Sequence, residues 1–191
     1  AKHGVQIFGG HGFIVEHGME QIVRDARIST LYEGTTEIQS LDLLARKVLK
    51  SEGKLLKNMT DLIDQFVEEN QSNSSLKTYL DQLSKLKNEW LEITKHIAVK
   101  AQHNPEEIGA ASVDYLYYSS YIVFAYLWAR MAKVAQQKLD QGTTEQKFYQ
   151  AKLKTAQFFY DKLLNRTQQH AASIKTGAES VMALDAEDFA F

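Results

Sequence analysis

One carboxylate near the start of the chain stands where it could act as a base. Glu33 lies between Tyr32 and Gly34, just ahead of a stretch that begins a helix. A carboxylate needs no partner to be ionised, and a glycine beside it lets a substrate approach the backbone. Glu33 is therefore a candidate proton acceptor. Taken alone, an acid in this position is most often a solvated turn residue, favoured by the positive end of a helix dipole.

Glu33 belongs to the third of three motif-like blocks, which are Gln6–Phe13, Met19–Ile28 and Leu31–Gln39. Glycines in the first block cost a regular helix about 1 kcal/mol each, so we expect a short helix up to Phe8 and then a loop. The second block predicts a short amphipathic helix over residues 19–30. In the third, a turn precedes a helix that begins at Thr36, where Thr36 and Gln39 have capping-box spacing, and runs to Lys50.

The remaining chain reads as helices. Apolar residues at helical spacing predict four of them, over 54–71, 76–102, 105–141 and from 145 to about Leu184. Asn104 and Pro105 have the residue types preferred at a helix cap and at the first helical position. We therefore predict an all-α protein with three parts: a motif-bearing segment (1–50), an up-down four-helix bundle (54–184) and an acidic, loosely held tail (185–191).

Composition excludes several functions. The net charge of −2 across 191 residues offers no basic face for nucleic acid. The absence of cysteine rules out disulfides and thiolate metal sites and suits the cytoplasm. His3, His11 and His17 lack the spacing of metal ligands, so we predict no metal site. Because motif content begins at once after Ala1, we expect the chain to be a fragment of a longer polypeptide.

An aromatic helix from Tyr115 to Trp128 raises the question of a membrane. The apolar window between Asp114 and Arg130 is about 15 residues long, short of the ~20 that a span requires. We predict that it is the buried central helix of the bundle. Partial exposure, as a dimer contact or as a patch that attaches peripherally to the inner membrane, is the alternative.

The three blocks together resemble the end of the acyl-CoA dehydrogenase family's core. The continuation over residues 41–47 is similar to a long bacterial subgroup, in which an extra helical domain follows that core. The resemblance implies that residues 1–50 are the last helices of the dehydrogenase C-terminal domain and that residues 54–184 are the extension. It departs from the family at Gly18, where many members have proline.

The resemblance also implies an activity: FAD-dependent α,β-dehydrogenation of an acyl-CoA thioester to the trans-2-enoyl-CoA, as in β-oxidation, with an electron-transfer flavoprotein as acceptor. It implies Glu33 as the catalytic base and Gly34 as a substrate-binding residue. By the same resemblance, flavin contacts within a subunit are Thr35, Thr36 and Glu37, and contacts to the FAD of a neighbouring subunit are Gln6, Ile7, Phe8, Gly9 and Gly10. A homo-oligomer follows, and the fragment alone should be inactive. The competing hypothesis is a helical oligomerisation or docking module without a catalytic role.

Overall fold

The computed structural model describes residues 1–190, which are largely helical and contain no β-strand. The all-α prediction is confirmed. The α-helices are α1 (Lys2–Phe8), α2 (Met19–Ile28), α3 (Thr36–Leu41), α4 (Lys54–Asn70), α5 (Lys77–Ala101), α6 (Glu106–Asp140), α7 (Gln146–Phe158) and α8 (Arg166–Thr176). Two π-helices (Asp42–Leu49 and Phe159–Leu163) and four short 3-10 turns (Gly9–Phe13, Val15–His17, Ser74–Leu76 and Ala186–Phe189) complete the set.

The chain divides into two compact units, Ala1–Ser40 and a second that starts at Leu41. In the first unit, α1 contacts α2 and the 3-10 turn that follows α1. Gly12 makes that turn possible, because a Cβ there would lie 2.5 Å from the Val5 carbonyl oxygen. The predicted domain boundaries at residues 50, 54 and 184 stay a prediction.

In the second unit, α6 is the central helix and contacts α5, α7 and α8. Its inward face alternates large and small side chains, with Tyr115, Tyr118, Ile122 and Ala129 fully buried. Small residues let neighbouring helices approach closely, and the aromatic residues fill the space between them. At the start of α6 the Glu106 amide donates to the Asn104 side-chain oxygen (3.1 Å), which confirms the predicted cap.

Buried hydroxyl groups in this core are hydrogen-bonded. The Tyr115 hydroxyl lies 2.8 Å from Thr94 Oγ1, and the Tyr160 hydroxyl donates to the Ala125 carbonyl at 2.8 Å. Burial raises the pKa of Tyr115 to about 12 and raises that of Tyr160 as well, because the phenolate would lose its hydration. The Tyr118 hydroxyl donates to Glu89 (2.8 Å); burial, and then this carboxylate, raise the Tyr118 pKa. All three tyrosines are therefore neutral donors at neutral pH.

Three local predictions are wrong in detail. The last helix ends at Thr176, not near Leu184, because Gly177 takes a positive φ of 77° and redirects the chain. The helix predicted from Thr36 to Lys50 is α-helical only to Leu41 and then continues as a π-helix. Gln39 reaches back as its capping-box spacing suggests, but its side-chain amide donates to the Glu33 carbonyl (2.6 Å), whereas a capping box would have its side-chain oxygen accept from the Thr36 N–H.

The aromatic helix has a buried face, as predicted, and an exposed face, as in the alternative. One face of α6 is buried, as expected, while a second apolar stripe is exposed to solvent and consists of Tyr117, Phe124, Leu127, Met131 and Val134. Over residues 1–190, no helix has the length and apolar character needed to cross a membrane.

Candidate catalytic segment

Glu33 lies in a backbone conformation that is uncommon for its residue type. After α2, the amides of Thr30 and Leu31 donate to Arg27 and Ile28 carbonyls and close a tight turn. Glu33 follows this turn with a positive φ of 55°. A residue with a Cβ in this region costs about 1–3 kcal/mol and persists only where its surroundings hold it. The side-chain amide of Gln39, which donates to the Glu33 carbonyl, is one such restraint.

Gly34 meets two requirements that no other residue satisfies. Its φ of 101° lies outside the conformations that L-residues adopt readily. A Cβ at this position would also lie 3.0 Å from Cγ2 of Ile38 and 3.2 Å from Nε2 of Gln39. The chain therefore turns sharply at Gly34 and enters α3 two residues later. Glu33 is thus followed by a residue without a side chain, and Ile38 and Gln39 lie against the position that a Cβ would take.

The two carboxylates that flank this turn differ in their partners. A hydrogen bond to its own backbone amide, a second to the Thr35 side chain, and then the charge of Arg27 lower the pKa of Glu37. Glu37 is thus a fixed anion in the first turn of α3. Glu33, in contrast, takes part in no side-chain hydrogen bond or ion pair with any residue from 1 to 190, and it is exposed. Of the two, Glu33 has the oxygens available to a substrate proton.

The segment predicted to contact FAD of a neighbouring subunit is exposed and apolar. Ile7 and Phe8, at the end of α1, are 83% and 50% exposed. Gly9 and Gly10 have open space where a Cβ would lie. Exposed apolar side chains beside uncovered backbone form a surface that a flat aromatic ligand or a second protein surface could cover.

The structure brings together some of the predicted site residues. Glu33, Gly34, Thr35, Thr36 and Glu37 are contiguous in the turn and the first turn of α3. Within residues 1–190, no hydrogen bond, ion pair or ring contact links this group to Gln6–Gly10. His11 and His17 lie edge to face at 5.3 Å, but no cluster of three potential metal ligands occurs in the described part of the chain.

Gln39 is a site residue whose structural role the sequence pattern only half revealed. Its spacing from Thr36 pointed to a backward contact, and the structure shows that the contact restrains Glu33. The sequence contains no sign of the positive φ of Glu33, because glycine, asparagine and aspartate are the residue types that adopt this conformation readily.

Two family models match the chain. The model described as "Acyl-CoA dehydrogenase, C-terminal domain" matches residues 1–49, and "Acetyl-CoA dehydrogenase C-terminal like" matches residues 56–185, which is more than half of the chain. The chain belongs to the acyl-CoA dehydrogenase family. The resemblance inferred from the three blocks is confirmed, and the family is one of oxidoreductases.

Curated relatives extend the match over nearly the whole chain. The broad-specificity linear acyl-CoA dehydrogenase FadE5 of Mycobacterium tuberculosis is 32% identical over 193 residues, which is 97% of this chain and 32% of that protein. The 3-methylmercaptopropionyl-CoA dehydrogenase of Ruegeria pomeroyi is 32% identical over 93% of this chain and 30% of its own length. A butyryl-CoA dehydrogenase of Syntrophomonas wolfei is 24% identical over 83% of this chain and 26% of its own length. The chain thus spans about a third or less of these relatives.

Proposed function

We propose that this chain is the carboxyl-terminal part of an FAD-dependent acyl-CoA dehydrogenase and contributes its catalytic base. The observation that carries the proposal is the unpaired Glu33 carboxylate, on a backbone that the Gly34 turn and the Gln39 hydrogen bond to the Glu33 carbonyl restrain. The relatives' length, about three times that of the matched part, supports the proposal that further domains of the same enzyme precede Ala1.

In this proposal, Glu33 accepts the α-proton of an acyl-CoA thioester. The carboxylate oxygen forms the new O–H bond while the α C–H bond breaks. Gly34 carries no side chain, so the thioester carbonyl can approach the Glu33 amide, which stabilises the negative charge that develops on the carbonyl oxygen. A bound FAD would supply the hydride acceptor that loss of the β-hydrogen requires. The product is the trans-2-enoyl-CoA.

The residues present fit one wall of a flavin site. Thr35, Thr36 and the ionised Glu37 would present polar groups within the subunit, and the exposed Ile7 and Phe8 would contact the cofactor of a neighbouring subunit. A site of this kind needs at least two copies of the chain, so the proposal includes a homo-oligomer. It also includes an electron-transfer flavoprotein as the acceptor and a location in the cytoplasm, which the lack of cysteine suits.

Steady-state kinetics of the longer enzyme test the base. Glu33→Gln keeps the side-chain size and removes the proton acceptor, so we expect kcat to fall by about 10²–10⁴-fold, the usual contribution of a positioned general base. Glu16→Gln is the matched control, since it removes one charge at an exposed position of the same unit, outside the proposed site, and it should keep kcat near the wild-type value. Equal losses in both variants would show that any loss of charge in this unit lowers kcat and that Glu33 has no special role.

The 191-residue chain alone should be inactive. It contains only part of the proposed flavin wall, so purified chain should show no flavin absorbance and should not oxidise acyl-CoA with an artificial electron acceptor. Bound flavin or turnover in this material would contradict the division of the site between this chain and preceding domains.

A second candidate function is association, and the exposed stripe on α6 favours it. Phe124, for example, is 52% exposed, and the stripe repeats at steps of seven, three, four and three residues, as in helices that pair with another helix. In this candidate the helices from α4 to α8 join copies of the chain and take no part in chemistry. Light scattering of the purified chain tests it, because a species that stays monomeric at the highest soluble concentration would rule it out.

A further inference from the structure

A groove of about 980 Å³ runs along α6 between α4 and α7. Its lining includes polar side chains such as Gln65 and Gln137, and its apolar part consists of Leu62, Phe66, Leu127, Met131, Val134 and Phe148. We call it the aromatic groove. Phe148 is 53% exposed, so the structure leaves a large part of this apolar surface open to solvent. A surface of this kind marks a contact site.

Three cations rim the aromatic groove, and aromatic rings hold them in place. Arg130 lies 5.4 Å from the Tyr126 ring, Lys133 lies 5.8 Å from the Phe66 ring, and Lys152 lies 5.3 Å from the Phe148 ring. Within residues 1–190, none of the three has a carboxylate at ion-pair distance. The groove has one acidic lining residue, Glu69, which accepts a hydrogen bond from Gln65 at 2.8 Å.

The end of the same chain has the complementary chemistry. Residues 178–190, the acidic tail, contain four carboxylates and no lysine or arginine. They also expose Val181, Met182, Leu184 and Phe189, and Phe189 is 65% exposed. A short 3-10 turn, Ala186–Phe189, places Phe189 next to Asp188. The tail is thus an anionic segment with uncovered apolar side chains, and the groove is a cationic site with uncovered apolar walls.

We propose that the acidic tail of one copy of this chain docks in the aromatic groove of a second copy. Phe189 and the apolar side chains before it enter between α4 and α7, and the tail carboxylates approach Arg130, Lys133 and Lys152. Burial of aromatic surface provides the attraction, and the charges orient the tail.

The distance along α6 favours docking of the tail in the groove of a second copy rather than in the groove of its own chain. Gly177 lies beside Glu107, at the beginning of α6, where a Cβ would be 2.9 Å from the glutamate Oε2. Met131 is about 24 residues further along that helix, or ~36 Å at 1.5 Å per residue. The 12 residues from Gly177 to Phe189 span at most ~40 Å when fully extended. The turns in the tail, including the Met182 amide to Ala178 carbonyl bond (3.0 Å), shorten that reach further.

Two copies can exchange tails reciprocally, which closes a twofold dimer and leaves no groove empty. This proposal rests on the association function given above and names its partner, and it does not depend on Glu33 as a base.

Disulfide trapping in the full 191-residue chain tests the contact, because the sequence has no cysteine of its own. A Met131→Cys chain with a size tag is mixed with an untagged Phe189→Cys chain and oxidised mildly. We expect a mixed disulfide dimer on a non-reducing gel. Leu91→Cys, at a 40% exposed position on α5, replaces Met131→Cys as the control and should give at least about tenfold less mixed dimer.

Sedimentation velocity with a charge exchange provides a second test that needs no cysteine. Lys133→Glu in the groove should raise the dimer Kd about tenfold, which corresponds to 1.4 kcal/mol, and Asp188→Lys in the same chain should restore most of the affinity. Lys95→Glu, on the exposed side of α5, makes the same change in net charge and should leave Kd unchanged.

Five results would overturn the proposal. They are a wild-type chain that stays monomeric, trapping as efficient at Leu91 as at Met131, and a Met131→Cys/Phe189→Cys double variant that closes only within one chain. The fourth is a monomer that floats with anionic phospholipid vesicles through Lys133, which would assign the groove to a lipid surface. A dimer that forms normally after Asp188→Lys and Phe189→Ser would retain the association function and reject the tail as its cause.

Discussion

Substitution of Gly34 tests whether the turn beside Glu33 is built as the structure shows. Alanine at this position must adopt a φ of 101° and place its Cβ 3.0 Å from Cγ2 of Ile38. The positive φ alone costs about 1–2 kcal/mol. The contact at 3.0 Å is tighter than ordinary van der Waals distance, so Ile38 or Gln39 has to move and the cost lies at the upper end of this range. The turn should therefore open more often.

Amide hydrogen exchange measures that opening directly. The backbone amide of Gln39 donates to the Thr35 carbonyl at 2.9 Å, so exchange of this amide hydrogen reports on the first turn of α3. A cost of 2 kcal/mol corresponds to roughly thirtyfold faster exchange, since each 1.4 kcal/mol is a factor of ten. Gly18→Ala is the matched control in the same unit, because Gly18 has a positive φ of 68° and open space around a Cβ.

The two variants separate backbone strain from crowding. Gly18→Ala should accelerate exchange of the α2 amides by about fivefold, which is the conformational cost alone. Gly34→Ala should have the larger effect at Gln39. Unchanged exchange of the Gln39 amide in Gly34→Ala would refute the description of this turn, and with it the argument that the turn positions Glu33.

Three further predictions concern the core of the second unit. Thr94→Val leaves the buried Tyr115 hydroxyl without its side-chain partner and should lower the free energy of unfolding by about 1–3 kcal/mol in urea titrations, whereas the exposed Thr155→Val should change it little. The pKa of Tyr115 in the folded chain, about 12, lies above the ordinary value of 10.0. The contribution of Tyr115 to stability is therefore complete below pH 10 and is lost as the pH rises toward 12. Tyr115→Phe removes this titration, so the urea midpoint should fall less steeply at alkaline pH. Ile122→Ala at a fully buried position should cost about 2–5 kcal/mol by calorimetry, whereas Leu91→Ala at an exposed one should cost less than about 1 kcal/mol.

Several elements of the fold follow from the sequence for clear physical reasons. The cap at Asn104 and the proline after it define the start of α6, and the glycines after Phe8 end α1. The period of apolar residues predicts the buried faces of α5 and α6, since a side chain that faces the core recurs every three or four residues.

Other features depend on tertiary contacts that local sequence does not encode. The π-helix at Phe159–Leu163 has the same residue types as an α-helix, and the apolar pattern runs through it unchanged. The end of α8 at Thr176, in contrast, has a local signal in Gly177, whose positive φ of 77° ends the helix. A helical pattern also cannot distinguish an apolar stripe that packs inside from one, like Phe124 and Met131, that stays exposed.

Part of the candidate site could likewise be predicted from the sequence, and part required coordinates. The order of residues around Glu33 indicated a base, a glycine and a helix start, and the structure has that order in space. The difference between the free Glu33 and the hydrogen-bonded Glu37 required coordinates, because both acids lie near the same helix start. The family resemblance assigns the base to Glu33, and the structure adds that the Glu33 side chain has no hydrogen bond or ion pair with any residue from 1 to 190.

Single-turnover reduction of the flavin in the longer enzyme, under anaerobic conditions, tests the proposal that Glu33 is the base. Acyl-CoA is mixed rapidly with the flavin-loaded enzyme, and loss of flavin absorbance reports the chemical step without contribution from the acceptor. We expect Glu33→Gln to bind acyl-CoA with little change in Kd and to slow bleaching by about 10²–10⁴-fold, while Glu16→Gln, at an exposed position outside the proposed site, bleaches at nearly the wild-type rate. Bleaching of Glu33→Gln at the wild-type rate would contradict the assignment of Glu33 as the base.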